Sequence, residues 1–167
     1  MAEIHAGRTT HSYDGPLVVF LIGMRVNKLW RPDPWLPTFA AMPAMLRELS
    51  TDPDSGLLGF RTVLGGGGPT VIQWWSSKEK LYAYASDRDA EHRPAWTAFN
   101  QRARKAPGVV GIWHETYEVS RAESIYVGMP TSGLARATSL VPVGRNADRA
   151  AARMAAGATG ATGATGA

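Results

Sequence analysis

The ten residues from Leu17 to Val26, LVVFLIGMRV, constrain this chain more than any other stretch. Successive side chains of a strand point to opposite faces of its sheet, so a strand with one wet face alternates apolar and polar residues. Here both parities are apolar as far as Met24, which marks a strand covered on both faces. The run from Leu17 to Met24 is too short to span a bilayer as a helix. The opening MAEIHAGRTTHSYDG is polar and lacks the apolar core of a signal peptide. A cytoplasmic protein with no membrane partner is the expectation.

The elements around that strand follow from turn chemistry and periodicity. Asp14-Gly15-Pro16 introduces it. Asp33-Pro34 offers an N-cap and a first-turn proline, and Phe39, Met42, Leu46 and Leu49 recur at helical spacing, predicting a helix kinked at Pro43. The turn cluster Thr51 to Gly56 ends it. Residues 57–64 alternate as a strand, Gly65 to Pro69 reads as a hairpin loop, and TVIQWW returns as the next strand. Ser76 with Glu79 has the spacing of a capping box, opening a helix that is interrupted near 86–89 and resumes near Pro94 with Trp96, Phe99 and Ala103 on one stripe. After Pro107-Gly108 comes VVGIWHETYEV, which places Val110, Ile112, His114, Thr116 and Glu118 on one face and Trp113, Glu115, Tyr117 and Val119 on the other. A last short strand is predicted over Ser124 to Val127.

The order strand, helix, strand, strand, helix, strand is the ferredoxin-like βαββαβ plan, an α+β fold with two helices on one face of an antiparallel sheet. The first strand then needs a cover for the bare face. The same face of a second copy supplies it most economically, predicting a homodimer in the form of a dimeric α+β barrel. The organisation expected is a polar arm over 1–13 with His5 and His11 solvated, the barrel domain over 14–144, and a disordered Ala/Gly/Thr-rich tail over 145–167. Removing residues 146–167 is expected to leave the melting temperature unchanged.

Composition removes several chemistries. The chain has 167 residues and no Cys, so thiolate nucleophiles and Cys-ligated metals are excluded. Its net charge of +4 does not mark a nucleic-acid site, because half of it falls in residues 145–167 and no Lys/Arg run is interleaved with aromatics. The Gly65 to Gly68 run is followed by Pro-Thr and a strand, where a phosphate-binding loop needs Lys-Ser/Thr and a helix. No Gly-x-Ser-x-Gly elbow exists, no His/Asp/Glu pair shows helical metal spacing, and Glu115 and Glu118 diverge across their strand. No metal site is expected.

Two histidines stand apart. His92 precedes Trp96 by one helical turn, and His114 interrupts a strand that otherwise reads as core. Trp74, Trp75, Trp96, Trp113, Tyr117 and Tyr126 fall on the elements that would enclose a space between helices and sheet. Such residues hold apolar ligands and orient them by polar tips. A large aromatic core is the competing reading.

The segments WWSSKEKLYAYASDRDAEHRPAWTAFNQRAR, GVVGIWHETYEV and ESIYVGMPTSGLA resemble the small monooxygenase-like proteins once classed as a domain of unknown function. That family includes a monooxygenase of the fumagillin biosynthetic cluster and belongs to the antibiotic biosynthesis monooxygenase superfamily. The resemblance spans about residues 14 to 140. It implies a pocket between helices and sheet in which His92, Trp96, Asn100, Trp113 and His114 match the motif positions. It further implies an oxidoreductase that uses O₂ on a hydrophobic small molecule without a cofactor. His114 or His92 would then be the base, Tyr117 and Asn100 orienting groups, and Trp74, Trp75, Trp96, Trp113 and Tyr126 substrate-binding walls. The alternative within the superfamily is a heme- or small-molecule-binding protein without turnover, with His92 as the heme ligand.

Overall fold

The computed structural model describes residues 2–87, 90 and 92–157; the side chain of His92 lies outside the described set. The elements run β1 (His5–Ser12), β2 (Leu17–Val26), α1 (Pro32–Thr51), β3 (Leu57–Gly65), β4 (Gly68–Trp75), α2 (Lys78–Ser86), α3 (His92–Lys105), β5 (Val110–Val119), β6 (Tyr126–Met129), α4 (Gly133–Ala137), β7 (Ser139–Pro142) and α5 (Ala150–Ala156). Among them no helix is long and apolar enough to cross a membrane.

The segment from β2 to β5 is the ferredoxin-like unit. Its strands are antiparallel in the order β3-β4-β2-β5, so the doubly apolar strand sits inside the sheet. It pairs with β4 from Val18↔Trp75 to Gly23↔Thr70 and with β5 from Leu17↔Val119 to Val26↔Val110. The register sorts the two parities. Val18 and Phe20 join Trp75, Leu49 of α1 and Leu81 of α2 in the core beneath the helices. Leu17 and Val19 join Trp74, Leu58 and Ile72 on the other face, where Leu134 and Ala137 of α4 close over one end. Trp75 is 1% exposed and donates its indole N–H to Gln73 Oε1 at 2.9 Å. That bond satisfies the indole N–H and the amide oxygen, both buried.

Local details differ from the periodicity reading. Ser77, one residue after the predicted cap, is the N-cap of α2 and accepts from Lys80 N–H at 3.2 Å. Helix α1 begins at Pro32, so Asp33 lies in its first turn, and the helix runs on through Pro37 and Pro43.

The larger difference lies at the two ends of the chain. Residues 5–12, read as a polar arm, form β1, the middle strand of a second antiparallel sheet in the order β6-β1-β7. Its sequence HAGRTTHS carries no apolar face, which is why periodicity passes over it. Hydrogen bonds hold it instead. Thr10 Oγ1 donates to Ser124 O at 2.7 Å, His11 Nδ1 lies 2.8 Å from Ser124 Oγ, and His5 Nε2 lies 2.9 Å from Thr131 Oγ1. Neither histidine is simply solvated. Burial pushes the His11 imidazole below its ordinary pKa, and the nearby Glu123 charge opposes that shift.

Residues 145–157, read as part of a disordered tail, form a 3-10 turn at Arg145–Ala147 followed by α5. Arg153 of α5 is buried, pairs with Glu123 through Nε and Nη2, and donates to the carbonyls of Ala147 and Asp148 at 2.9 and 2.8 Å. The ion pair docks a segment whose apolar area alone would not hold it. Residues 158–167 lie outside the described set. Deleting residues 146–167 therefore strands Glu123 without its cation, and we expect a loss of about 3 kcal/mol in chemical denaturation, as for a broken buried pair. Truncation after Gly157 should leave stability unchanged; equal stability of the two truncations would show that α5 contributes nothing.

Candidate active site

A cavity of about 440 Å³ lies between the helices and the four-stranded sheet. Its floor comes from the parity of β2 that faces the helices. Phe20, Ile22 and Met24 lie beside Thr116, His114 and Ile112 of β5, and Val71 of β4 carries the row on to Thr62 of β3. One wall is the face of α1 carrying Pro37, Thr38, Ala41, Met42, Met45 and Leu46, residues at the three- and four-residue spacing of a single stripe. The opposite wall comes from Leu81, Tyr82 and Ala85 of α2 and from Ala95, Trp96, Phe99 and Arg102 of α3.

This lining is almost wholly apolar, and its polar groups among the described residues are few: the hydroxyls of Thr38, Thr62, Thr116 and Tyr82, the indole N–H of Trp96, the imidazole of His114 and the guanidinium of Arg102. Thr38 Oγ1 is already committed to Pro34 O at 3.0 Å. His114 packs its ring against Phe20 with centroids 5.6 Å apart. Among the described residues no hydrogen-bonding partner holds its nitrogens, and no carboxylate pairs with Arg102. Both groups are available to a ligand.

The structure divides the residues singled out from the sequence. His114 and Trp96 meet at the cavity, with Trp96 stacked on Phe99 at 5.5 Å. Trp75 lies in the core behind Leu81 and does not line the cavity. Trp74, Trp113 and Tyr117 belong to the opposite face of the sheet, contrary to the expectation that all the aromatics enclose one space. The reason is strand parity. Trp113 pairs with Gly23, whose missing Cβ leaves room for the indole to lie across it, while the neighbouring His114 pairs with Ile22 and turns to the helices. Tyr117 pairs with Val19, and its hydroxyl donates to Glu115 Oε2 at 2.8 Å, which raises its pKa above the ordinary value. It orients nothing in the cavity. Asn100 sits half-buried on α3 without lining the cavity, and Tyr126 belongs to the second sheet, where its hydroxyl accepts from Ala135 N–H at 3.3 Å. The side chain of His92 falls outside the described residues.

Arg102 and Tyr82 are the functional candidates that residue-by-residue reading passed over. Arg102 follows Trp96 and Phe99 at intervals of three, so the stripe that marked the wall also pointed to it. Among the described residues the cavity offers one histidine, His114, on a strand, and one cation, Arg102; the side chain of His92, the heme ligand of the alternative reading, lies outside them. Among the described residues no cluster of three or more His, Asp or Glu is arranged for a metal ion.

No curated protein matches the chain. Among solved structures, the chain is similar to SnoaB, a cofactor-independent oxygenase from Streptomyces nogalater, at 10% identity and a TM-score of 0.46, covering 64% of this chain and 96% of that one. It is also similar to a dimeric protein of unknown function and ferredoxin-like fold from Bacteroides fragilis, at 14% identity and a TM-score of 0.40, covering 62% and 96%. Residues 17–134, the span from the start of β2 into α4, match the family described as Monooxygenase af470-like, and the chain belongs to that family.

Proposed function

We propose that this protein is a small oxygenase that uses O₂ without a bound cofactor on a hydrophobic molecule bearing an acidic C–H or phenolic O–H. The observation that carries this reading is an imidazole, His114, on the floor of an apolar cavity where, among the described residues, it has no hydrogen-bonding partner and Arg102 is the only cation. An apolar site strengthens the attraction between a fixed cation and a developing anion, because little water screens it. His114 takes the substrate proton, and Arg102 stabilises the resulting carbanion or phenolate. The electron-rich anion passes one electron to O₂, the two radicals combine to a peroxide anion, and the proton held by His114 returns to give the hydroperoxide. For a methylene flanked by aryl rings, loss of water then leaves a carbonyl: R₂CH₂ + O₂ gives R₂CO + H₂O. The substrate supplies every reducing equivalent, so no external reductant enters. Trp96, Phe99 and Met42 shape the walls, and the hydroxyls of Thr116 and Tyr82 offer hydrogen bonds to substrate oxygens.

The family supports this reading. Oxygen uptake on a panel of tricyclic phenols and anthrones tests it, using protein treated with a metal chelator. His114→Ala should lower kcat by about 10²–10⁴-fold, the usual contribution of a positioned base. Arg102→Gln should lower kcat/KM for the same substrate. Undiminished uptake in His114→Ala, or no uptake by the wild-type protein on any member of the panel, would refute the assignment.

The same reading gives the outer face of the sheet to a second copy. Trp113 and Tyr117 are exposed large side chains on the face that α4 covers only at one end. A two-fold contact would bury both copies of this patch at once. Sedimentation velocity at micromolar concentration should show a dimer, and Trp113→Arg should convert it to a monomer. A wild-type monomer would contradict the pairing.

A further inference from the structure

At one end of the molecule the sheet brings together the β2–α1 connection, the β3–β4 hairpin and the α3–β5 connection. Hydrogen bonds tie them into one surface. Val26 N–H donates to Gly67 O at 2.9 Å, Arg25 Nη1 to Gly66 O at 2.8 Å, and Asn27 and Lys28 N–H to Val109 O at 2.9 and 3.3 Å. Within this surface Arg31 N–H donates to Lys28 O at 3.1 Å, closing a turn whose two central residues are Leu29 and Trp30. Trp35 Nε1 donates to Leu29 O at 3.3 Å and holds the turn against α1. A braced turn nonetheless presents its two largest apolar side chains to solvent: Leu29 is 69% exposed and Trp30 76%, and Leu64 beside the glycine hairpin is 81% exposed.

The charge of this end is one-sided. Segments 24–33, 63–69 and 102–110 carry Arg25, Lys28, Arg31, Arg102, Arg104 and Lys105 against Asp33 alone, and Asp33 is bound by Arg31 through two hydrogen bonds of 2.9 Å. Among the described residues no carboxylate pairs with Lys28, Arg104 or Lys105. The acids Asp14, Glu48, Asp52, Asp54, Glu79 and Glu118 fall at or near the opposite end of the strands, where they outnumber the cations Arg47, Lys78, Lys80 and Arg121, Lys78 being paired with Glu118. The molecule is thus polarised along β2, with its exposed apolar tips at the positive end.

We infer that this end docks on an anionic lipid surface, with Leu29, Trp30 and Leu64 entering the interface and Lys28, Arg104 and Lys105 meeting lipid phosphates. Tryptophan suits that position because its ring is apolar and its N–H is wet. A second copy fits poorly, since a two-fold contact would set the same cations against one another. The apolar groups stand on two loop tips, which is the shape of a wedge entering lipid. Peripheral docking of this kind needs no spanning helix. Met24, Pro69, Ile112 and Arg102 line the cavity on the side nearest this surface, so an apolar molecule dissolved in the bilayer has a short route to it.

Co-sedimentation of the full chain with phosphatidylcholine vesicles, with and without phosphatidylserine, tests the inference without reference to catalysis. Binding should require phosphatidylserine, weaken at high salt, and fall about fivefold for each of Lys28→Gln, Arg104→Gln and Lys105→Gln. Trp30→Ala should lower binding at least tenfold and abolish the blue shift of tryptophan emission on phosphatidylserine vesicles. Failure of the wild-type protein to sediment with these vesicles would overturn the inference, as would binding unchanged in Trp30→Ala. A dimer that dissociates in Trp30→Ala, without vesicle binding, would assign this end to a second copy and overturn it equally.

Discussion

Strand β2 is hydrogen-bonded on both edges and apolar on both faces, and every other part of the molecule is placed relative to it. Its pairing with β4 and β5 fixes which side chains of all three strands share a face, because a slip of one residue would exchange the two faces entirely. In the observed register Val18, Phe20, Ile22 and Met24 face the helices, and Leu17 and Val19 face α4. The helices then have one apolar floor to pack on. The space they leave unfilled above Phe20 and Ile22 is the cavity.

That floor explains the chemistry available. A cavity walled by methionine, proline and aromatic side chains offers few groups that solvate a charge, so the ionisable groups it holds dominate its electrostatics. Among the described residues His114 and Arg102 bring charge chemistry to it, with Tyr82 as a hydroxyl donor. A proton acceptor and a fixed cation in an apolar space suit a reaction that begins by making an anion of a poorly soluble molecule. The positive, apolar-tipped end of the molecule beside this cavity is consistent with a substrate that partitions into lipid.

Much of the ferredoxin-like unit was legible because each of its elements carries a periodic signal. The double apolar parity of residues 17–26, the glycine hairpin at 65–68 and the helical stripe through Trp96 and Phe99 each specify their own structure. The site was only half legible. The alternation of VVGIWHETYEV already separates His114 from Trp113 and Tyr117, yet motif matching treats neighbours in sequence as neighbours in space. Gly23 decides the matter, since the space for the Trp113 indole exists only where β2 lacks a Cβ. Of the second sheet only β6, expected over Ser124 to Val127, was legible; β1, β7 and the docking of α5 were not. They are held by hydroxyl and imidazole hydrogen bonds and by the Arg153–Glu123 ion pair, and such partners are distant in sequence and leave no periodic trace.

The central claim is that the sheet divides the WHETY segment so that His114 and Thr116 meet the substrate while Trp113 and Tyr117 do not. Titrating isotopically labelled protein with a tricyclic phenol, while following the His114 imidazole and the Trp113 indole N–H by NMR, measures that division directly. The account predicts a saturable shift of the His114 ring resonances with the Trp113 indole unmoved. A shift of Trp113 with His114 silent would contradict it and place the ligand on the other face of the sheet.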